Sequence, residues 1–247
     1  MDVKDFFNEH AKEYAHGDKR AHYYDLPTII NFAGKIPAER ALDIATGPGF
    51  VAIELANTIK EVVGIDIADK MLEEAKLNID KIGIKNVRLL EMDAAHLEFP
   101  DGYFDIVTCR KALHHIKDKA GVLREVNRVL KNGGYFIISD MLRPDGDNKD
   151  LFNRMERARD STHAGAESTN GWTQILRENG FAVTDLHIME TKEKVDDWLY
   201  PIKNNGKEAK AVRDILKESE ELRRAIRYNE AEDSFIKKRA VMMAQKA

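Results

Sequence analysis

Apolar and polar residues alternate along the middle of the chain with two periods, one typical of strands and the other of helices. Five short apolar runs between residues 40 and 141 have the length and composition of strands. They are Ala41–Ile44, Glu61–Ile65, Val87–Glu91, Phe104–Thr108 and Tyr135–Met141. Amphipathic helical stretches separate these runs, and the clearest extends from about Lys119 to Lys131, with Asp118 as a candidate cap. This alternation predicts a parallel sheet with right-handed crossovers.

The pattern becomes less regular after residue 143, although strand and helix signals continue. The predicted elements are a polar helix from Lys149 to Arg159, a loose segment over Ser161–Asn170, a helix over Trp172–Asn179, a strand over Phe181–Met189, a charged helical stretch from Glu193 to about Arg227 and a last strand over Phe235–Gln245. Insertions at the carboxyl ends of strands often form lids. We therefore expect residues 143–169 and 193–230 to be substrate-side insertions of a single domain.

The composition fits one large α/β domain. The 247 residues are 43% hydrophobic, and the net charge of −4 comes from interspersed acids and bases, so no nucleic-acid-binding face is predicted. One cysteine, Cys109, excludes a disulfide framework and a zinc site of several thiolates. Because the sequence has neither a signal-peptide pattern nor about eighteen consecutive apolar residues, we expect a cytoplasmic protein without a membrane span. The oligomeric state stays open.

A glycine turn follows the first predicted strand, in Ala-Leu-Asp-Ile-Ala-Thr-Gly-Pro-Gly-Phe-Val-Ala from Ala41 to Ala52. Gly47 and Gly49 can take backbone angles closed to other residues and let a ligand approach the main chain. The helix that follows presents unpaired N–H groups at its start. Such a turn indicates a nucleoside-type ligand, although it also occurs for reasons of packing.

Two carboxylates after the next strands make the ligand more specific. Asp66 ends the second predicted strand about twenty residues past the glycines, where a carboxylate can accept hydrogen bonds from both hydroxyls of a ribose. Asp93 follows the third strand, where it could accept from the exocyclic amine of an adenine. Both acids could instead be helix N-caps. The fourth strand ends at Cys109 and Arg110, at the same predicted edge of the sheet.

Together these motifs resemble those of the class I S-adenosylmethionine-dependent methyltransferases, in particular the ubiquinone/menaquinone-biosynthesis C-methyltransferases and small relatives of unassigned substrate. In the family's order, the chain has Leu-Asp-Ile-Ala-Thr-Gly-Pro-Gly, Gly-Ile-Asp, Met-Asp-Ala, Phe-Asp-Ile-Val and Leu-Lys-Asn-Gly-Gly. The resemblance implies S-adenosyl-L-methionine as the cofactor. It also implies a Rossmann-like, seven-stranded, mostly parallel sheet with an antiparallel last strand and helices on both faces. N-terminal lid helices (1–38), a cofactor-binding core (39–142) and a helical lid insertion after the fifth strand complete the expected domain.

The resemblance assigns one group of residues to the methionine part of the cofactor. Asp43, Gly47 and Gly49 would shape this pocket, and Ala45 belongs to the same turn. Arg110 would lie by the methionine tail, although a surface ion pair is an alternative for it. Asp43 could also do no more than cap the glycine turn.

A second group is assigned to the nucleoside part and to the lid. Asp66, followed by Ile67, would hold the ribose, and Asp93 with Ala94 would hold the adenine. Tyr14 resembles the tyrosine of an N-terminal lid helix that closes over the cofactor. Plain packing of this aromatic ring on the core is the alternative.

A dinucleotide-binding turn is the main competing interpretation, because residues 47–52 also satisfy Gly-x-Gly-x-x-Gly/Ala. Pro48 argues against it, since proline removes one N–H from a pyrophosphate cradle. Hydride transfer would also leave Asp93 without a function. An NAD-dependent oxidoreductase therefore stays a minor alternative.

Candidate bases follow the fourth strand at His114 and His115, where the methyl group of the cofactor should lie. A histidine has an unperturbed pKa of about 6.5, which suits proton transfer near neutral pH. Relatives also carry a histidine pair here, and of the two we prefer His115. The rings could instead pack under the lid, and a metal is not expected without a third ligand.

A second candidate lies in the pattern Arg-x-Arg-Asp-x-x-His that ends at His163. Arg157 or Arg159 could hold an anionic substrate while Asp160 orients His163. The alternative is a solvated helix end with an ordinary ion pair.

The sequence therefore predicts a methyltransferase that acts on a small molecule by in-line methyl transfer. An RNA or protein methyltransferase with the same cofactor pocket is an alternative, although the net negative charge of the chain disfavours binding to RNA. A non-catalytic cofactor-binding module is the third hypothesis.

Overall fold

The computed structural model describes residues 2–16, 24–147, 150–200 and 204–247. The helices described before the first strand are α1 (Val3–Glu9), α2 (Ala11–His16) and α3 (Leu26–Ala33). The next elements along the chain are β1 (Arg40–Ile44), α4 (Phe50–Leu55), β2 (Glu61–Asp66), α5 (Asp69–Ile82), β3 (Val87–Glu91), β4 (Phe104–Arg110), α6 (Lys119–Val129) and β5 (Leu130–Leu142). The elements that follow are α7 (Leu151–Arg159), α8 (Thr169–Glu178), β6 (Phe181–Lys194), α9 (Val195–Leu199), α10 (Lys207–Glu218), α11 (Glu220–Ala225) and β7 (Ser234–Lys246).

The strands form one seven-stranded sheet in the order β3-β2-β1-β4-β5-β7-β6. Strands β1 to β5 pair in parallel, whereas β7 runs antiparallel to both of its neighbours, β5 and β6. The predicted Rossmann-like sheet with an antiparallel last strand is confirmed. Because the strand order reverses between β1 and β4, the carboxyl ends of these strands border the crevice where sheets of this kind bind ligands.

Helices cover both faces of the sheet and bury its strands. In β1, Leu42 and Ile44 pack on the face covered by α6 and α8, whereas Ala41 packs on the face covered by α3 and α4. A third cluster, which includes Phe152 and Phe235, packs α7, α9, α10 and α11 beside the end of β5. Successive residues of a strand face opposite sides of the sheet, and both sides are covered by helices. The strands are therefore continuous apolar runs in the sequence.

Several predicted elements differ in their extent, and two of them show why. Helix α6 ends at Val129, before the predicted Lys131, because Leu130 is extended and pairs with Phe104 on β4. The charged stretch predicted as helical from Glu193 begins inside β6 and continues as α9, α10 and α11. Parts of the predicted lid helices, of the helix from Lys149 and of the charged stretch lie outside the described residues. None of the helices in the described ranges is long and apolar enough to cross a bilayer.

Candidate functional site

The three acids predicted from the strand ends lie at one edge of the sheet. Asp43 and Asp66 are on the adjacent strands β1 and β2, and Asp93 follows β3. The Asp43 carboxylate is buried and accepts from the hydroxyls of Thr46 at 2.6 Å and Thr108 at 2.7 Å. Burial raises the pKa of Asp43 to about 6, although both hydroxyls oppose this shift. Asp43 therefore ties the glycine turn to β4.

The turn after β1 has an unusual backbone. Ala45, Gly47 and Gly49 have positive φ angles of 51°, 54° and 82°. A Cβ added at Gly47 would meet no atom within 4 Å, so the main chain is open there. At Gly49 it would lie 3.1 Å from the Cβ of Ala75 on α5. Gly47 leaves room for a ligand, whereas the close approach of α5 requires Gly49.

Asp66 and Asp93 differ in what surrounds them. The Oδ2 of Asp66 accepts from the Gly47 N–H and its Oδ1 from the Ala68 N–H, both at 2.9 Å, and each oxygen keeps a lone pair for a further donor. Burial raises the pKa of Asp66, although these hydrogen bonds act to lower it. Asp93 accepts from the Ala95 N–H at 2.9 Å, and its side chain is 59% exposed. The other predicted residues at this edge are the half-buried Ile67 and the buried Ala94.

Arg110, at the end of β4, is held by a buried acid. Its Nε and Nη2 donate to Asp25 at 3.0 and 2.6 Å, and the Ser139 hydroxyl donates to the same carboxylate at 2.5 Å. Burial alone would raise the pKa of Asp25, but Arg239 and Arg110 outweigh it and lower that pKa to about 2. A contact between Arg110 and the methionine end of the cofactor stays a prediction.

The helices α1 and α2 pack over the start of α5, close to the edge that carries Asp66. Asn8 donates to Asp69 at 2.9 Å. The Phe7 ring lies between Tyr14 and His115, with ring centroids 5.5 and 5.0 Å away. Burial raises the pKa of Tyr14 to about 12. Through Phe7, the first helices therefore connect the cofactor side of the edge with the histidines.

The three candidate histidines come together in one cluster. His114 and His115 lie in a short 3₁₀ turn after β4, with ring centroids 4.0 Å apart. His163, from the segment after α7, lies 5.6 Å from His114. The Ala164 and Gly165 N–H groups donate to the carbonyl of His114 and fix this segment on the turn. The three rings, here called the histidine cluster, are 3–8% exposed.

A threonine connects His115 with a carboxylate. The Thr162 hydroxyl donates to Asp160 at 2.6 Å, so its oxygen accepts from Nδ1–H of His115 at 2.9 Å. This arrangement leaves a lone pair on Nε2 of His115. Burial and the neighbouring His114 lower the pKa of His115, which is therefore neutral near pH 7.

The other two imidazoles also have one fixed nitrogen each. Nδ1–H of His114 donates to the buried Asp140 at 2.6 Å, and Nε2–H of His163 donates to the side-chain oxygen of Asn153 at 2.8 Å. Burial lowers the pKa of His163 to about 4. Within the described ranges, no group of three or more His, Cys, Asp or Glu side chains is arranged to hold a metal ion.

The two arginines before His163 have local partners. Arg157 forms a half-exposed ion pair with Asp150, and the Nε of Arg159 donates to the carbonyl of Trp198 at 2.8 Å. Neither arginine is directed by these contacts into the histidine cluster. The pair of Arg157 with Asp150 matches the alternative given for this segment, a solvated helix end with an ordinary ion pair.

Several residues of the site were not found from the sequence. Asp140 stands at the end of β5, just as Asp66 stands at the end of β2, so its position is a signal that could have been used. Asp25 is 85 residues from Arg110, and Thr162 is 47 residues from His115. These pairs have no local pattern, and only the fold brings them together.

Comparisons with known proteins show the family of the chain. A family model described as a methyltransferase domain matches residues 36–180. An uncharacterized methyltransferase of Bacillus subtilis, YcgJ, is 33% identical over 211 residues, which are 85% of this chain and 82% of that protein. A ubiquinone/menaquinone biosynthesis C-methyltransferase of Shewanella, UbiE, is 35% identical over 119 residues, 47% of each chain.

Solved structures share the whole architecture. A protein of Bacillus halodurans described as a methyltransferase has a TM-score of 0.83 and 31% identity, with 90% of this chain and 98% of that chain covered. The crystal structure of YcgJ has a TM-score of 0.80 and 31% identity, with 91% and 99% covered. The similarity therefore extends beyond the residues matched by the family model.

Proposed function

The chain belongs to the S-adenosylmethionine-dependent methyltransferases, and from this premise we propose that it methylates a small molecule held against the histidine cluster. One observation carries the proposal, namely the burial of these three rings at 3–8% exposure. An acceptor atom that contacts them has to enter a closed part of the molecule. A small molecule can do so, whereas the surface of a folded RNA or protein cannot.

The carboxyl edge of β1–β3 fits the cofactor, because it offers open main chain at Gly47 and carboxylates with unused lone pairs. We assign Asp66 to the ribose hydroxyls, Asp93 with Ala94 to the adenine, and the turn from Ala45 to the methionine end. When bound, S-adenosylmethionine supplies a methyl group from a sulfonium whose positive charge is lost on transfer. A pyrophosphate is disfavoured here by Pro48, and the family match leaves the oxidoreductase alternative without support.

The chain's own residues would orient the acceptor and accept its proton. The neutral His115 has a lone pair on Nε2, and the Asp160 carboxylate, one hydroxyl away through Thr162, would stabilise the imidazolium. Phe7 and the helices around it, which we take as the lid, would exclude water. Holding the reacting groups in line can contribute several kcal/mol to the lowering of the barrier.

The proposal is tested by following a tritiated methyl group from the cofactor into fractionated cell extract. We expect label in the small-molecule filtrate, and none in RNA or protein. His115→Ala should abolish this transfer and leave S-adenosylhomocysteine affinity unchanged by calorimetry, whereas His187→Ala, on the exposed part of β6, should do neither. Label in RNA or protein would instead favour the macromolecular alternative. Cofactor binding without any transfer would favour the binding module.

A further inference from the structure

Asn153 fixes the tautomer of His163, a residue that has no role in the proposed methyl transfer so far. The side-chain oxygen of Asn153 lies 2.8 Å from Nε2 of His163 and accepts from the Ala166 N–H at 2.8 Å. The NH2 group of Asn153 donates to Asp150 at 2.6 Å, so the amide cannot be turned around. Because an amide oxygen only accepts hydrogen bonds, the proton of His163 is on Nε2. Nδ1 of His163 therefore carries a lone pair.

His115 carries a second lone pair in the same cluster. Its Nδ1–H is held by Thr162, so the lone pair is on Nε2. Thr162 immediately precedes His163 in the chain, and the rings of His115 and His163 both lie beside that of His114, with centroids 4.0 and 5.6 Å from it. Among the residues that the structure describes, none donates to either of these two nitrogens. The cluster thus offers two hydrogen-bond acceptors to a ligand.

Both of these imidazoles are neutral near pH 7. Burial lowers the pKa of His163 to about 4, and burial together with the neighbouring His114 lowers the pKa of His115. A neutral imidazole only accepts at its unprotonated nitrogen. Imidazoles with lowered pKa values are also poor proton acceptors for an ammonium group, which would have to lose a proton before it could react. The two rings therefore favour an uncharged ligand group that donates hydrogen bonds.

Possible methyl acceptors differ in the number of donors that they bring. A hydroxyl or a thiol has one donor, so it would leave one of the two buried lone pairs without a partner, at a cost of about 1–3 kcal/mol. A carbon acceptor has no such donor, and the oxygen of its enolate would need donors itself. An uncharged NH2 group has two N–H donors and one lone pair. If its N–H groups bind to His115 and His163, its own lone pair stays available for the methyl group.

We propose that the methyl acceptor is a weakly basic amine, such as an arylamine, whose NH2 group donates to Nε2 of His115 and Nδ1 of His163. This inference rests on the proposed function, because it defines the reacting atom of the same acceptor. The nitrogen lone pair forms the bond to the methyl carbon, and the sulfur–carbon bonding pair stays on sulfur. The nitrogen, now positively charged, passes one proton to Nε2 of His115. The products are S-adenosylhomocysteine, a neutral N-methylamine and an imidazolium that Asp160 stabilises through Thr162.

Aniline is the probe that tests the amine, because its NH2 group is weakly basic and uncharged at pH 8. It is titrated into the full chain loaded with S-adenosylhomocysteine, with isotope-labelled nitrogens in the histidine rings. We expect the nitrogen signals of Nε2 of His115 and Nδ1 of His163 to move to lower frequency, as they do when a ring nitrogen begins to accept a hydrogen bond. Toluene has the same shape and no donor, and it should move neither signal.

His163→Phe keeps an aromatic ring and removes the lone pair. Aniline should then bind about tenfold more weakly, which is roughly the loss of one hydrogen bond. Phenol has a single donor and can pair with only one of the two rings, so its affinity should fall less. His187→Phe, on the exposed part of β6, is the matched control and should change the affinity for neither compound.

Each outcome distinguishes this inference from the function on which it rests. If S-adenosylhomocysteine binds but aniline does not, or if toluene moves the ring signals as aniline does, the amine is wrong and the proposed function stands. Shifts confined to His114, or an equal loss of phenol and aniline affinity in His163→Phe, would overturn the pairing of two donors with these two rings. If S-adenosylhomocysteine does not bind, the proposed function fails, while aniline can still be titrated into the free protein. If His163→Phe does not fold, the ring signals of the wild type decide.

Discussion

A single hydroxyl determines which nitrogen of His115 can act as a base. Because Thr162 donates to the Asp160 carboxylate, its oxygen can only accept from the imidazole, and the proton stays on Nδ1. Nε2 thereby keeps its lone pair, which in the proposed function accepts the proton of the substrate. This role resembles that of the carboxylate that orients a catalytic histidine, with one hydroxyl inserted between the two groups.

Thr162→Val tests this relay because valine keeps the shape of threonine and removes the hydroxyl. In the wild type we expect His115 to remain neutral with the proton on Nδ1 from pH 8 down to pH 5, since burial lowers its pKa. In the variant both tautomers should be populated. Nitrogen chemical shifts of the ring measure this directly, and Thr173→Val, in an exposed turn of α8, is the control. An unchanged tautomer in Thr162→Val would contradict the relay.

The two strand-end acids should respond differently to removal. Asp93→Ala changes a mostly exposed side chain, so we expect normal stability and about tenfold weaker binding of S-adenosylhomocysteine, roughly the loss of one hydrogen bond. Asp66→Ala should weaken binding and also lower the unfolding free energy by about 1–3 kcal/mol, because the N–H groups of Gly47 and Ala68 lose their acceptor. Calorimetry and urea unfolding separate the two effects. Unchanged affinity in both variants would contradict their assignment to the cofactor.

At the level of elements, the glycine turn is shaped as much by α5 as by a ligand. Gly49 lies against Ala75, and the Asn78 side chain donates to the carbonyl of Pro48 at 3.0 Å. The turn is therefore clamped from the helix side while the main chain at Gly47 stays open. A sequence motif of two glycines thus combines two separate physical requirements.

Matched alanine substitutions separate these requirements. Both glycines have left-handed backbones, so each change to alanine should cost about 1–2 kcal/mol of stability. Gly49→Ala should cost about 1 kcal/mol more, because its Cβ would lie 3.1 Å from the Cβ of Ala75 and α5 would have to shift by a few tenths of an ångström. Gly47→Ala should instead weaken cofactor binding, and by more than its loss of folding stability alone would cause. Equal destabilisation by the two variants, measured by urea unfolding, would contradict the packing role of Gly49.

The local sequence pattern was sufficient to predict those elements whose neighbours in space are also neighbours in sequence. The run Val87–Glu91 is a strand with these same bounds, and the acids after β2 and β3 reach one edge because parallel strands share it. The start of β5 was placed too late, since Leu130 becomes extended only by pairing with Phe104. The partners of His115 and Arg110 could not be predicted, because nothing in the chemistry of a threonine or an aspartate specifies a contact with a distant side chain.

Across the whole molecule, Asp25 joins segments that are far apart in the chain. It lies immediately before α3, and its carboxylate accepts from Arg110 on β4 and from Ser139 on β5, while Arg239 of β7 stabilises its charge. The residue is fully buried. Removing one partner of such a network leaves the others as uncompensated buried charges, which typically costs about 3–5 kcal/mol.

Asp25→Asn should therefore destabilise the protein strongly at neutral pH, and less so in acid. Although burial opposes it, the pKa of Asp25 is lowered to about 2 in the folded state by Arg239 and Arg110, against about 3.9 when unfolded. A lowered folded-state pKa stabilises the fold above pH 4, and that contribution, about 2.6 kcal/mol, is lost as the pH falls from about 4 towards 2. The difference in unfolding free energy between wild type and variant should be constant from pH 8 to 5 and then narrow, by about half of this amount at pH 3.

Urea unfolding of both proteins at pH 7, 5 and 3 measures this narrowing. The contributions of other groups that titrate in the same range are common to both proteins and cancel when the two unfolding free energies are subtracted. Asp185→Asn serves as the control, because its ion pair with Lys35 is on the surface and should leave the unfolding midpoint unchanged. If the difference caused by Asp25→Asn persists undiminished at pH 3, the carboxylate does not owe its stabilisation to charge. The network would then hold α3, β4 and β5 together by shape and hydrogen bonding alone.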